Sequence, residues 1–109
     1  AYRPQKHDHL LLHCEDDVHV ALNDPRRFGL VLHGPEEMLR THKLFAGLGP
    51  EPLGNGCSGA YLAETLKGKT TAIKQTLLDQ RVVAGIGNIY ACEALFMARI
   101  DPARPAGRV

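Results

Sequence analysis

The sequence predicts an α+β fold, a small antiparallel β meander followed by a run of short helices. Three observations carry this reading. Apolar and polar residues alternate in the first third, apolar residues recur at three- and four-residue spacing in the second half, and a Pro- and Gly-rich stretch lies between the two.

Residues 6–13 suit an extended segment with Leu10 and Leu12 on one face, and Val18, Val20 and Leu22 alternate in a second. Glu15-Asp16-Asp17 between them reads as a hairpin turn. Asn23-Asp24-Pro25 is another turn, and Phe28-Gly29-Leu30-Val31-Leu32 reads as a third strand. The character changes at Gly34-Pro35, so the expected division is a β unit over 1–34 and a helical unit over 35–109.

Glu36 and Glu37 suit the start of a short helix, where the exposed N–H groups favour acids. Residues 48–54, Leu-Gly-Pro-Glu-Pro-Leu-Gly, are too rich in Pro and Gly for regular structure and read as a linker. Ser58 is placed to cap a helix carrying Tyr61, Leu62 and Leu66 and ended by Gly68. Thr70 or Thr71 would cap the next, with Ile73 and Leu77 four apart. A last helix is expected over 88–99, with Ile89, Cys92, Leu95 and Phe96 on one side, stopped by Ile100-Asp101-Pro102.

With 109 residues, 44% of them hydrophobic, the chain holds one modest core or two small ones. The net charge of +1 announces no polyanion partner by itself. Its distribution is uneven: residues 1–64 carry six Lys or Arg against nine Asp or Glu, and residues 65–109 carry seven against three. That favours a polyanion on the C-terminal side, or equally a solvated face. Cys14, Cys57 and Cys92 are scattered and odd in number, which excludes a disulfide framework and a Cys₄ zinc site. No apolar run approaches the ~20 residues of a membrane helix, so no membrane partner is expected. A reducing, intracellular compartment follows as the expectation.

Two constellations carry chemistry. In Gly85-Ile86-Gly87-Asn88 the glycines permit close backbone approach, and the helix opening at Asn88 presents free N–H groups to which a phosphate could dock. On the glycines alone, a tight turn with Asn88 as a helix cap is the better explanation. In Asp24-Pro25-Arg26-Arg27-Phe28-Gly29 two guanidinium groups sit beside an aromatic ring, a pairing suited to base edges and to wedging into a duplex. A surface Arg pair and a core Phe would leave the same text.

In combination they are more specific. Ile73-Lys74-Gln75-Thr76-Leu77-Leu78-Asp79-Gln80, Val83-Ala84-Gly85-Ile86-Gly87-Asn88-Ile89-Tyr90-Ala91 and Glu93-Ala94-Leu95-Phe96 resemble the helix-two-turn-helix signature of bacterial formamidopyrimidine-DNA glycosylases. Lys6-His7-Asp8-His9, Asp24-Pro25-Arg26-Arg27-Phe28-Gly29 and 48–53 are similar to that family too, in its order. Arg26-Arg27-Phe28-Gly29 and Asn88-Ile89-Tyr90-Ala91 favour its oxidised-purine branch over the endonuclease VIII branch.

The resemblance implies base-excision repair, with excision of 8-oxoguanine and formamidopyrimidines followed by cleavage of the abasic strand, in a bacterial, nucleoid-associated cytoplasmic protein. It implies that 1–34 are the closing strands of a β-sandwich and 35–109 the helical DNA-binding domain. It places Arg26 in the gap left by a displaced base, Phe28 beside it, and Asn88 with the Gly87 backbone on a phosphate. Lys74 matches a family lysine, with support of its helix as the other reading. The family's nucleophile is an N-terminal proline followed by glutamate, and Pro4 is neither terminal nor followed by Glu, so no catalytic residue is expected within this chain. Zinc is expected only in the family's C-terminal finger, which has no counterpart here, and His7, His9 and His13 are not expected to bind a metal. The expected partner is duplex DNA bearing oxidised purines, with self-association covering the open face of the sheet. The alternative is a non-catalytic module that recognises bent or damaged duplex.

Overall fold

The computed structural model describes residues 2–109, which divide into two compact units, 2–35 and Glu36–Val109. The first is a hairpin. Strand β1 (Asp8–His13) pairs antiparallel with β2 (His19–Asn23), in a register that sets Leu10 opposite Leu22, Leu12 opposite Val20 and His13 opposite His19. Asp16 and Asp17 turn the chain at φ 58° and 57°, a left-handed conformation that a short polar side chain tolerates. Because side chains alternate across a strand, Leu10, Leu12, Val20 and Leu22 share one face.

The expected third strand over 28–32 does not form, so the meander is a two-stranded hairpin. Asp24 gives the reason. Its carboxylate accepts from the backbone N–H of Arg27 (3.0 Å) and of Gly29 (2.7 Å), and Arg27 turns left-handed at φ 56°. The chain is curled where a ladder would begin, and Phe28, Leu30 and Val31 stay exposed.

The second unit is helical: α1 (Glu36–Thr41), α2 (Lys43–Ala46), α3 (Gly59–Leu66), α4 (Ile73–Leu78), α5 (Asn88–Ala98) and a closing 3₁₀ turn (Ala106–Arg108). Ser58 caps α3 as its sequence predicts, its hydroxyl accepting from the Tyr61 N–H at 3.1 Å. Neither Thr70 nor Thr71 caps α4. Its cap is Ala72, which makes no side-chain bond there, and the local order comes from the chain end: Ile73 N–H donates to the Arg104 carbonyl (2.8 Å) and Ala106 N–H to that of Thr71 (2.9 Å). Leu66, Ile73, Leu95 and Ala106 form the core, with Leu62, Leu77 and Ile100 packed on it.

The buried side of α5 also differs from expectation. Ala91 and Leu95 face inward, while Ile89, Phe96 and Cys92 are exposed. This helix is apolar nearly all round, so spacing alone does not select a face. The stretch read as a linker is docked instead. Gly49 N–H donates to the Gln80 carbonyl (2.9 Å), Ala84 N–H donates to the Pro50 carbonyl (3.0 Å), and a Cβ on Gly49 would stand 2.5 Å from the Val82 oxygen. Among the described residues no helix is long and apolar enough to cross a membrane.

Candidate nucleic-acid interface

The turn between α4 and α5 is built from both sides. Val82 and Val83 are buried and anchor its first half, and the Tyr61 hydroxyl of α3 donates to the Val82 carbonyl at 2.8 Å. Gly85 follows at φ +89°, a conformation that L side chains rarely adopt, which accounts for glycine there. Gly87 is the N-cap of α5 in extended conformation, and Asn88 is the first helical residue. The turn surfaces at Gly85, Gly87 and Asn88, all exposed. Asn88 makes no capping bond; its amide oxygen meets only the Cys92 thiol, at 4.0 Å. The cap reading therefore fails, and the side chain stands free beside the N-terminus of an eleven-residue helix.

Asp79 and Arg81, just before the turn, are committed to each other. The Arg81 side chain donates to both carboxylate oxygens, at 3.0 and 2.8 Å. Those bonds, followed by the Arg81 backbone N–H, hold the Asp79 carboxyl down at about 2. Lys74 lies on α4 and borders a surface depression with Cys92, Glu93, Phe96 and Arg99.

In the hairpin unit, Arg26 and Phe28 are brought together. The Arg26 guanidinium lies 4.6 Å from the centre of the Phe28 ring, a cation–π contact on an exposed tip, and Phe28 is 77% exposed rather than a core residue. The residues before β2 brace this tip. The His9 ring donates to the Asp24 carbonyl (2.9 Å) and Asp24 N–H to the His7 carbonyl (3.0 Å). Asp8 accepts from the Tyr2 hydroxyl, the Gln5 N–H and Asn23, and those bonds, the Tyr2 hydroxyl foremost, lower its pKa. Sequence reasoning left the roles of Asp8, His9 and Asp24 unread. The sequence marks Asp24 as a turn residue, and the part it does not show is that the Asp24 carboxylate accepts from Arg27 and Gly29.

The histidines do not cluster as a metal would require. His7 has φ 74°, outside the strand, His9 is engaged with Asp24, and His13 meets His19 across the hairpin, Nδ1 to Nδ1 at 2.9 Å. Among the described residues no group of three His, Cys, Asp or Glu converges.

Residues 48–109 match the family described as formamidopyrimidine-DNA glycosylase H2TH domain. The chain belongs to that family. It is 55% identical over 104 residues to a formamidopyrimidine-DNA glycosylase of Cereibacter sphaeroides, a match covering 95% of this chain and 37% of the relative. It is 52% identical over 108 residues to that of Methylococcus capsulatus, covering 99% and 40%. The chain thus spans well under half the length of these curated bacterial relatives. Among solved structures, MutM in complex with DNA containing carbocyclic 8-oxo-G superposes with a TM-score of 0.83 at 33% identity, covering 99% of this chain and 41% of that one. A Lactococcus lactis FPG mutant bound to Fapy-dG DNA gives 0.80 at 32%, covering 99% and 40%.

Proposed function

We propose that this chain is the duplex-gripping part of a DNA glycosylase and AP lyase that removes oxidised purines in base-excision repair. The observation that carries the reading is the turn Gly85-Ile86-Gly87-Asn88, which lies within the matched H2TH region and opens on a solvent-facing helix N-terminus. Free N–H groups at such a terminus, with the uncommitted Asn88 amide, suit a DNA phosphate. Lys74 adds a cation on the helix before the turn. Two relatives whose structures the chain matches are bound to 8-oxo-G and Fapy-dG DNA, which supports the lesion class.

The stacked pair Arg26 and Phe28 serves the other half of the task. A damaged nucleotide must leave the stack before its glycosidic bond is reached, at a cost of a few kcal/mol. In this reading Phe28 wedges into the vacated step and Arg26 hydrogen-bonds the orphaned base. Residues 1–34 are then the strands that carry the finger, and 35–109 the DNA-binding helical domain. The family's nucleophile is an N-terminal proline followed by glutamate, which the internal pairs Pro35-Glu36 and Pro50-Glu51 do not match, and three scattered cysteines do not match its four-cysteine zinc finger. The chain is expected to bind and not to cut, in a bacterial cytoplasm.

The test is binding and incision by the chain on matched duplexes with and without 8-oxoguanine. Tighter binding to the lesion duplex without strand cleavage is the expected result. Equal binding to both would reduce the chain to a duplex-binding module, and cleavage would show that the chemistry lies within it.

A further inference from the structure

The proposed phosphate contact needs its turn held in shape before DNA arrives, and one side chain is placed to do this. The Gln80 amide spans the turn from its first residue to its centre. Its Oε1 accepts from the Gly85 N–H at 2.7 Å, and its Nε2 donates to the Ile86 carbonyl at 3.2 Å and to the Leu78 carbonyl at 3.3 Å. One amide therefore ties the end of α4 to the residue just before the N-cap of α5. Its own backbone is fixed as well, since the Gln80 carbonyl accepts from the docked Gly49.

We propose that Gln80 is the positioning residue of the phosphate turn, a latch that presets the Gly87-Asn88 backbone for an anion. The proposal rests on the phosphate reading above and adds a residue to it. The physical case is one of satisfied partners. A glycine at φ +89° has wide conformational freedom, and Gly85 is an exposed residue whose N–H takes the Gln80 amide oxygen as its partner. Gln80 Oε1 takes that N–H, which also removes Gly85 from the donors available to a phosphate and leaves the N–H groups at Gly87 and Asn88 to make the contact. Its Nε2 occupies the Ile86 carbonyl oxygen, whose partial negative charge would otherwise be free to repel an anion. A side chain of this length with one donor and one acceptor end is required. Glutamate lacks the donor, and asparagine is one methylene too short to reach both sides.

The experiment uses the 109-residue chain and a fluorescent duplex. Gln80→Ala should weaken binding by about threefold to tenfold, the worth of one or two hydrogen bonds. The slope of log affinity against log salt should stay that of the parent chain, as for Asn88→Ala, because neither uncharged amide neutralises a phosphate. Amide exchange at Gly85 should accelerate while the thermal midpoint stays within a few degrees. A merely structural glutamine would shift the midpoint by more and leave the affinity of the folded chain unchanged. Should Gln80→Ala unfold, Gln80→Met carries the same test, because it keeps a side chain of similar length and loses the amide bonds to Gly85, Ile86 and Leu78 without adding a charge. Unchanged affinity or unchanged Gly85 exchange in the variant, with Asn88→Ala clearly weakened, overturns the latch alone. If Asn88→Ala also binds like the parent chain, the phosphate reading itself fails and the latch falls with it.

Discussion

Gly29 shows how a single missing atom shapes the tip that carries Arg26 and Phe28. A Cβ there would lie 2.7 Å from Asp24 Oδ2, the oxygen that receives the Gly29 N–H. Gly29→Ala must push the Asp24 carboxylate aside, loosening the two charge-assisted bonds to Arg27 and Gly29 that curl the tip. The expected outcome is a smaller ratio of lesion to undamaged duplex affinity with general duplex binding retained, read by competition binding. Asp79 gives the pH dependence. Its carboxyl titrates at about 2 in the folded chain against 3.8 when free, so the Arg81 pairing stabilises the fold above pH 3.8 and is lost as pH falls through about 2. Carboxyl ¹³C shifts followed from pH 6 to 1.5 should show the Asp79 midpoint near 2, and Asp79→Asn should remove its part of the acid-side decline. A midpoint near 4 would mean that the pair is open in solution.

At the scale of elements, α3 and α5 begin in opposite ways and predict opposite responses. Ser58 caps α3 through its hydroxyl, so Ser58→Ala should cost about 1 kcal/mol in chemical denaturation. Asn88 opens α5 without a capping bond, so Asn88→Ala should leave stability within about 0.5 kcal/mol. It should nonetheless weaken binding to all duplexes alike; a stability loss as large as that of Ser58 would return Asn88 to the role of a cap. The sequence made the Ser58 cap and the Gly85 turn legible, because both depend on nearest neighbours in the chain. It did not reveal the start of α4, the docking of 48–54 or the inward face of α5, because each is set by partners far along the chain: Arg104, Gln80 with Val82, and the core around Leu66. The expected third strand failed for a related reason. The apolar run at 28–32 promises a strand only where the chain is extended, and the Asp24 carboxylate, set by residues before the run, curls 27–29 instead.

The two units of the molecule differ in how they are held. Every residue of the buried apolar set, from Leu66 to Ala106, belongs to the helical unit, whereas in the hairpin Leu10, Leu12, Val18 and Val20 are each at least one-third exposed. A two-stranded hairpin with no covered face is marginal in water, while a helical unit with a closed core unfolds as one cooperative body. Native-state amide exchange should therefore separate them. The amides of Ala91 and Leu95 should exchange only through global opening of the helical unit, and those of Leu12 and Val20, paired across the hairpin, orders of magnitude faster. Leu95→Ala should lower the protection of the helices by about 2–5 kcal/mol and leave the hairpin amides untouched. If the hairpin amides prove as slow as the core, its leucine and valine face must be covered in solution. A second copy of the chain is then the proposed cover, because protection of that kind falls on dilution as copies separate, whereas protection intrinsic to one chain does not change with concentration.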